Sequence, residues 1–261
     1  MSRPWHHVVG RLILVRHGQS EFNAESRFTG WRDPGLTALG EAEARAVAEH
    51  LREAGVIVDV VFASAFQPTI RSAQIILAAL GQPAGIQAAA ALNERDYGEL
   101  TGLNKAEAVA RWRAAQVREW RRSYVIPPPG GESLRDTVAR ATPFYLREIL
   151  PVVLDGSSAL VVAHGNTLRA LVSALEGLTP TEVESLEIAT GELLTYDVTA
   201  DARLRRVSLH KVEPNTTKMT KEEARAFDIE ALEEEERVEH GLPAIKPRPE
   251  DQAHQKTLDE D

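Results

Sequence analysis

The sequence predicts an α/β fold, a single three-layer domain with a mostly parallel central sheet flanked by helices. Two apolar runs, residues 12–15 and 159–163, are typical of strands buried on both faces. Each run ends in a His-Gly pair, at His17 and at His164, and these pairs lie far apart in the chain. Because open α/β sheets bind ligands at the carboxyl ends of their strands, we expect both imidazoles at one edge of the sheet.

The other elements follow from caps, breakers and periodicity. Thr37 is a plausible N-cap for a helix over 36–54 that stops at Gly55, and 56–63 resembles a second buried strand. Pro68 suits the first turn of a short helix that runs to Leu80. Further helices are predicted over 105–120, from the Ser133/Asp136 capping box to 150, over 168–175 and from Thr179-Pro180, and closing strands over 193–198 and 203–212.

Composition narrows the function classes. The chain has no cysteine, which excludes disulfides, a thiolate nucleophile and Cys-based metal sites, and no apolar stretch is long enough to span a membrane. The net charge is −9, of which −8 lies in residues 219–261, so the body is nearly neutral. We therefore expect a cytoplasmic protein with no nucleic-acid partner and no membrane partner, a domain over 1–213, and an acidic, mobile tail over 214–261.

The first His-Gly pair belongs to the sequence Arg16-His17-Gly18, which suits chemistry on phosphate. A neutral histidine can attack a phosphoryl group through a ring nitrogen while an adjacent guanidinium holds the phosphate oxygens. The second pair, His164-Gly165, opens a helix whose free N–H groups suit an anion. One phosphate-transfer pocket explains both pairs better than two unrelated core histidines do.

Further motifs, spread in order from about residue 12 to 212, give the chain a family resemblance. These motifs are 14–23, Phe28-Thr29-Gly30-Trp31, Leu92 to Gly98, Leu103-Asn104-Lys105, Trp120-Arg121-Arg122, Gly131-Glu132-Ser133-Leu134 and His164-Gly165-Asn166. With them, the chain resembles the cofactor-dependent phosphoglycerate mutases of the histidine phosphatase superfamily.

The resemblance implies a reaction and a set of site residues. His17 would carry a phosphoryl group supplied by 2,3-bisphosphoglycerate, 3- and 2-phosphoglycerate would interconvert, and no metal would be required. Glu94 would move the substrate's proton and His164 would stabilise the phosphoryl oxygens in flight. The implied contacts to the small phosphorylated substrate are Arg16, Gly18, Ser20, Asn23, Thr29, Gly30, Tyr97, Lys105, Arg121, Arg122, Gly165 and Asn166.

Some of these assignments have simpler alternatives. Taken in isolation, Glu94 would form a surface salt bridge with Arg95, and Arg121-Arg122 would be a solvated helix C-terminus; the two histidines favour the catalytic interpretation of Glu94. In the family, Lys and Arg side chains reach the substrate from a lid, here about 95–130, and the proteins can form homodimers or homotetramers. The lid is short in this chain, because Pro127 runs almost directly into Gly130.

One segment departs from the family pattern of Ser, three residues, Arg-Ala, two residues and Thr. Here the frame begins at Ser64 and Pro68 occupies the arginine position, where it offers no side-chain donor. We hypothesise that Arg71, one helical turn later, reaches back into the pocket as a substitute. The short lid keeps open the alternative of a phosphatase of the same superfamily. Pro68 and the acidic tail keep open a catalytically impaired relative that binds phosphorylated ligands or a protein partner.

Overall fold

A computed structural model describes residues 8–211. Its six-stranded sheet has the order β3-β2-β4-β1-β5-β6, in which β1, β2, β3 and β4 are parallel and β5 and β6 pair antiparallel. The α/β fold class with a mostly parallel sheet is confirmed. The strands are β1 (Val8–Arg16), β2 (Val60–Ala63), β3 (Ile86–Ala88), β4 (Ser158–Ala163), β5 (Glu192–Thr199) and β6 (Leu204–Lys211).

Helices cover both faces of the sheet, because successive side chains of the central strands point to opposite sides. Leu12 and Leu14 of β1 belong to one apolar cluster, and Ile13 and Val15 belong to the other. Both predicted runs are buried on both faces for this reason. The helices are α1 (Glu21–Ala24), α2 (Ala38–Glu53), α3 (Gln67–Leu80), α4 (Lys105–Trp112), α5 (Ala114–Arg122), α6 (Leu134–Phe144), α7 (Leu150–Leu154), α8 (Gly165–Glu176) and α9 (Pro180–Ser185).

The predicted helix starts are confirmed where a capping side chain carried the signal. Thr37 accepts the amide hydrogen of Gly40 at the start of α2, and Ser133 forms a reciprocal capping box with Asp136 at the start of α6. Thr179 caps α9 in the same way. A π-helical turn, Tyr145–Ile149, continues α6 into α7, so this helical segment runs slightly beyond the predicted end at 150.

Two predicted elements differ from those observed. The single helix expected over 105–120 is two helices, α4 and α5, because Arg113 between them adopts a left-handed conformation with φ of 67°. The strand expected over 56–63 is shorter than predicted, since β2 begins at Val60. Pro68 does lie in the first turn of α3, as predicted.

Residues Lys105–Arg118 belong to a second compact unit, which holds α4 and the start of α5. The strands, the remaining helices and the residues from Glu119 to Lys211 belong to the first unit. The predicted acidic tail over 214–261 lies outside the described residues. No helix between residues 8 and 211 is both long and apolar enough to cross a membrane.

Candidate active site

The two histidines meet because β1 and β4 are parallel neighbours in register. Arg16 pairs with Ala163, so each histidine is the first residue beyond its strand, and the amide of His17 donates to the carbonyl of Ala163 at 3.1 Å. The ring centroids are 4.8 Å apart, with the rings inclined by 69°. Both side chains are buried, His17 being 4% and His164 1% exposed.

The hydrogen bonding of His17 determines which ring nitrogen is available. Nδ1 lies 2.6 Å from the carbonyl oxygen of Gly18, which can only accept, so Nδ1 carries the hydrogen. Burial, and then the proximity of His164 and Arg16, lower the pKa of His17 well below its ordinary value. The ring is therefore neutral near pH 7 and its Nε2 has a free lone pair, which is the state a nucleophilic imidazole requires.

His164 is neutral for similar reasons. Burial first, and then the positive charges of Arg16 and Arg140, lower its pKa to about 3. Its Nε2 lies 2.8 Å from the hydroxyl of Ser64, the residue that directly follows β2, the other neighbour of β4. Three adjacent parallel strands therefore each contribute polar groups to one edge.

Arg16 supplies a cation beside both rings. One terminal nitrogen donates to the carbonyl of Ile188 at 2.7 Å, whereas Nε is buried and has no hydrogen-bond partner in the part of the chain that the structure describes. The guanidinium lies against Gly165, the first residue of α8, whose first-turn amides have no intrahelical acceptors. An unsatisfied guanidinium N–H next to a helix N-terminus is a site suited to an anion.

Glu94 follows β3 and reaches the same edge of the sheet. Glu94 is 8% exposed, and its carboxylate accepts the amide hydrogen of Arg95 at 2.7 Å. The charge of Glu94 offsets a small part of the lowering of the His17 pKa. The carbonyl of Glu94 accepts from the indole of Trp31 and from the guanidinium of Arg140, both at 2.9 Å. The backbone that carries this carboxylate is therefore held from two sides.

The alternative of a surface salt bridge between Glu94 and Arg95 is wrong, because Arg95 is fully buried. Its guanidinium lies 4.5 Å from the ring centroid of Tyr97 and donates to the carbonyls of Trp120 and Arg121, at the C-terminus of α5. Burial is the largest single influence and raises the pKa of Tyr97, but the charge and hydrogen bond of Arg95 together with the charge of Arg121 outweigh it, and the pKa is lowered.

Asn166 links Tyr97 to a second buried cation. Its side-chain amide donates to the Tyr97 hydroxyl at 3.1 Å and accepts from Arg169 at 2.9 Å. Arg169 also donates to the carbonyl of Val183 at 2.6 Å. The Asn166 side chain thus holds Tyr97 in place, and its backbone amide, in the first turn of α8, faces the helix end.

Of the cations predicted for the lid, Arg121 and Arg122 belong to the first compact unit and Lys105 belongs to the second. Arg122 forms an ion pair with Glu187, and Arg121 is close enough to Tyr97 for its charge to lower the tyrosine pKa. Glu187 directly precedes Ile188, the acceptor of Arg16, so one loop contacts two of the predicted cations. Lys105 begins α4 in the second compact unit, and its contact with substrate stays a prediction.

Several predicted contact residues have structural partners of their own. Ser20 and Asn23 form the capping box of α1, and the amide of Gly18 donates to the hydroxyl of Ser72 at 3.1 Å. A Cβ on Gly18 would lie 2.0 Å from the carbonyl oxygen of Gly40, so this glycine is required for packing. Gly30, with φ of 51° next to a half-buried Thr29, closely approaches Thr101. Substrate contacts at Ser20, Asn23, Thr29 and Gly30 stay predictions.

Arg71 does not replace the missing family arginine in this structure. Its guanidinium donates twice to Glu41 on α2, at 2.7 and 3.0 Å, and the side chain is half exposed. Pro68 is buried in the first turn of α3. The carboxylate of Glu41 offers Arg71 an ion-pair partner, and this pairing explains why the guanidinium lies on the surface of α2 and α3.

The sequence reasoning missed the residues that support the site. The carboxylate of Glu132, part of the Gly-Glu-Ser motif, accepts from Arg140 at 2.9 and 3.0 Å and from the amide of Asp96 at 3.1 Å. Arg140 and Arg169 are ordinary charged residues of helices in the sequence. Only their position on the inward faces of α6 and α8 would have suggested buried roles, and that depends on tertiary packing.

An α/β sheet that holds two neutral, buried histidines and a cation at adjacent strand ends defines a candidate phosphoryl-transfer protein. Residues 12–234 match the family model of the histidine phosphatase superfamily (branch 1). The chain belongs to this superfamily.

Similar proteins fall into two groups by name. The chain is 53% identical over 192 residues to a protein of Methylocella silvestris, and 56% identical over 191 residues to one of a Methylobacterium species. These matches cover 73% of this chain and 93% and 92% of the relatives. Both relatives are named 2,3-bisphosphoglycerate-dependent phosphoglycerate mutase.

Among solved structures, a mycobacterial glucosyl-3-phosphoglycerate phosphatase in complex with VO3 is similar with a TM-score of 0.65 and 27% identity, over 79% of this chain and all of that one. The α-ribazole phosphatase of Shigella flexneri matches with a TM-score of 0.65 and 22% identity, over 80% of this chain and all of that one. The second likeness shows the fold alone.

Proposed function

We propose that this protein is a phosphoglycerate mutase that interconverts 3-phosphoglycerate and 2-phosphoglycerate through a phosphoryl group carried on His17. The observation that carries the proposal is the pair of neutral buried imidazoles beside the unpaired Nε of Arg16. The mutase names of relatives 53–56% identical support the choice of substrate. The proposal places the enzyme in glycolysis and gluconeogenesis and in the cytoplasm.

His17 begins the cycle phosphorylated on Nε2 and acts first as the leaving group. Glu94 removes the proton from the accepting hydroxyl of 3-phosphoglycerate, whose oxygen bonds to phosphorus as the bond from phosphorus to Nε2 breaks, which gives enzyme-bound 2,3-bisphosphoglycerate. After this intermediate reorients, Nε2 of His17 bonds to the other phosphorus as the bond from that phosphorus to the substrate oxygen breaks, and Glu94 returns the proton to that oxygen. The hydrogen bond from Nδ1 to Gly18 keeps the proton off Nε2 throughout.

The charge of the transferring group is balanced by donors at the strand ends. Arg16, His164 and the backbone N–H groups of Gly165 and Asn166 are the donors assigned to the phosphoryl oxygens, and their closeness to one another around His17 supports this assignment. Arg121 and Arg122 end α5, and Arg95 contacts both Tyr97 and the carbonyl of Arg121, so Tyr97, Arg121 and Arg122 suit the second anionic group of a phosphoglycerate. Lys105, Gly18, Ser20, Asn23, Thr29 and Gly30 are assigned to the substrate from the family resemblance.

2,3-Bisphosphoglycerate fits this donor set, since its phosphoryl groups match the unsatisfied N–H of Arg16 and the α8 N-terminus. When bound, it supplies the phosphoryl group that primes His17. Following the family resemblance, we propose a reaction that needs no metal. A homodimer or homotetramer is the assembly that the resemblance suggests.

The experiment that tests the proposal measures two products from purified protein in one tube. We expect 2-phosphoglycerate to form from 3-phosphoglycerate, faster with added 2,3-bisphosphoglycerate, and phosphate release to be slow. Rapid phosphate release without isomerisation would instead identify a phosphatase, and neither product would identify a binding protein. His17→Ala should abolish isomerisation, whereas His50→Ala, at a stacked surface pair with His210, should retain it.

A further inference from the structure

Behind His164 lies a short chain of buried hydroxyl groups. Nε2 of His164 is 2.8 Å from Oγ of Ser64, which is 2.6 Å from Oγ1 of Thr69. Oγ1 of Thr69 is in turn 2.9 Å from the carbonyl oxygen of Phe66. The side chains of Ser64 and Thr69 have no solvent exposure, so their hydrogens must be shared within this chain.

These heavy-atom positions allow two directions of donation. In the first, His164 donates from Nε2 to Ser64, Ser64 donates to Thr69, and Thr69 donates to the Phe66 carbonyl, which leaves Nδ1 of His164 unprotonated. In the second, Thr69 donates to Ser64 and Ser64 donates to Nε2, so a neutral His164 carries its hydrogen on Nδ1. No heavy atom needs to move between the two arrangements.

The second direction costs little in lost hydrogen bonds. In the second arrangement the Phe66 carbonyl loses the hydrogen bond from the Thr69 hydroxyl, but it still accepts from the amides of Thr69 and Ile70, both at 3.2 Å. The Ser64 oxygen accepts the amide hydrogen of Phe66 at 3.2 Å in either arrangement. Each hydroxyl keeps one acceptor, so neither direction leaves a buried donor unsatisfied.

We propose that Ser64 and Thr69 form a reversible hydroxyl relay that sets the tautomer of His164, so that the neutral ring donates from Nδ1 when a phosphoryl group binds. Ser64 and Thr69 are positioning residues, since they act through His164. The hydroxyl chain is a property of the free protein, so its existence does not depend on the proposed function. Its role in phosphoryl transfer does rest on the proposed function.

A neutral donor solves an electrostatic problem at this site. A histidine that stabilises phosphoryl oxygens is usually pictured as an imidazolium, but burial beside Arg16 and Arg140 strongly opposes a charge on His164. A tautomer reversal gives the ring a hydrogen to donate without a net charge. It also leaves the nucleophile unaffected, because the hydrogen bond of His17 to Gly18 does not involve the relay.

The test is nitrogen NMR of the full chain labelled with ¹⁵N-histidine, with His164 assigned by comparison with His164→Gln. In the free protein we expect Nε2 of His164 to be protonated. On addition of orthovanadate, a mimic of the transferring phosphoryl group, we expect the proton on Nδ1 and Nε2 to accept. Two protonated nitrogens with vanadate, or an unchanged tautomer in a vanadate-saturated sample, would overturn the proposal.

Thr69→Val supplies a test that needs no ligand. Because the variant lacks the acceptor of the Ser64 hydroxyl, Ser64 must turn to Nε2, and we expect His164 to carry its proton on Nδ1 in the free protein. Thr69→Ser should restore the parent tautomer, and Thr69→Ala offers the same test as Thr69→Val if valine packs poorly. Thr137→Val removes a buried hydroxyl that donates to a helix carbonyl at Ser133 and should change nothing at His164.

Retention of the proton on Nε2 in both Thr69→Val and Thr69→Ala would also overturn the relay. This outcome is distinguishable from failure of the proposed function, which would appear as absence of isomerisation in the parent enzyme. As a further measurement, Ser64→Ala removes the link in both directions and should weaken vanadate binding about tenfold. Equal vanadate affinity in parent and Ser64→Ala would contradict the coupling of the relay to the anion.

Discussion

The chemistry assigned to His17 depends on a single hydrogen bond. Because the Gly18 carbonyl can only accept, the contact of 2.6 Å fixes the hydrogen on Nδ1 and leaves the lone pair on Nε2. The neighbouring imidazole and guanidinium reinforce this state, since each opposes a second proton on the ring. Nucleophile activation at this site therefore needs no carboxylate paired to His17.

The unpaired Nε of Arg16 leads to the first prediction. Arg16→Lys keeps the positive charge but loses the planar fork, and we expect kcat/KM for 3-phosphoglycerate to fall roughly ten- to hundredfold because a charge-assisted hydrogen bond is lost. Steady-state isomerisation kinetics would measure the effect. Arg71→Ala is the matched comparison: its guanidinium is engaged by Glu41, and we expect a change within about twofold. A larger loss in Arg71→Ala than in Arg16→Lys would reverse the assignment.

Some residues of the site could be predicted from the sequence and others could not, for a physical reason. His17 and His164 follow apolar runs directly, so local patterning places them at strand ends. Arg95 gave no such signal, because its burial results from the acceptors that the end of α5 supplies. The surface position of Arg71 likewise depends on Glu41, which is 30 residues away in sequence.

At the scale of elements, the segment after β3 is held by a partly buried ion pair with hydrogen bonds to the backbone, here called the clamp. Arg140 on α6 donates to the carbonyls of Ala91 and Glu94, each at 2.9 Å, and pairs with Glu132 through two nitrogens. The Gly-Glu-Ser motif therefore joins the start of α6 to the loop that carries the proposed general acid. This contact gives Glu132 a positioning role for Glu94.

A double-mutant cycle tests this clamp. We expect Glu132→Gln and Arg140→Met to be strongly non-additive in unfolding free energy, with a coupling of roughly 1–2 kcal/mol, because the pair is mostly shielded from solvent. Arg140→Met should also lower kcat about tenfold, since the Glu94 carbonyl loses a donor that fixes its position.

The control cycle uses the exposed ion pair between Asp201 and Arg203, whose coupling we expect to stay below about 0.5 kcal/mol. Chemical denaturation measures both cycles. A coupling between Glu132 and Arg140 no larger than that of the surface pair would show that the clamp does not hold the loop.

Element starts were more predictable from sequence than breaks within elements. Thr37, Ser133 and Thr179 cap helices through bonds to residues three positions on, so the signal is local. The break at Arg113 carries no glycine or proline, and a propensity argument continues the helix through it. The sheet order required the pairing of β1 with β4, which the repeated His-Gly pattern suggested.

At the scale of the whole molecule, two buried neutral histidines make stability depend on pH. The folded-state pKa values of His17 and His164 lie below the ordinary value of 6.5, and His164 reaches about 3. Below pH 6.5 the unfolded chain therefore binds more protons than the folded protein does. The stabilisation from each neutral ring is complete above pH 6.5 and is lost as the pH falls towards the folded-state pKa.

We expect the free energy of unfolding to fall more steeply with decreasing pH in the parent than in His164→Gln. Between about pH 5.5 and 4 the two slopes should differ by up to ~1.4 kcal/mol per pH unit, the contribution of one titrating group. Urea denaturation across this range measures the slopes, and above pH 7 the difference between the two proteins should be constant. Parallel slopes between pH 5.5 and 4 would contradict the burial of a neutral His164.

The transfer of a phosphoryl group to His17 is the central claim, and it can be measured directly. The full chain is incubated with 2,3-bisphosphoglycerate carrying ³²P in its phosphoryl groups, and peptides are separated under alkaline conditions, where phosphohistidine survives. We predict one acid-labile label on the peptide that contains His17, and none in His17→Ala. An unlabelled parent protein, or a label that persists in His17→Ala, would contradict the account.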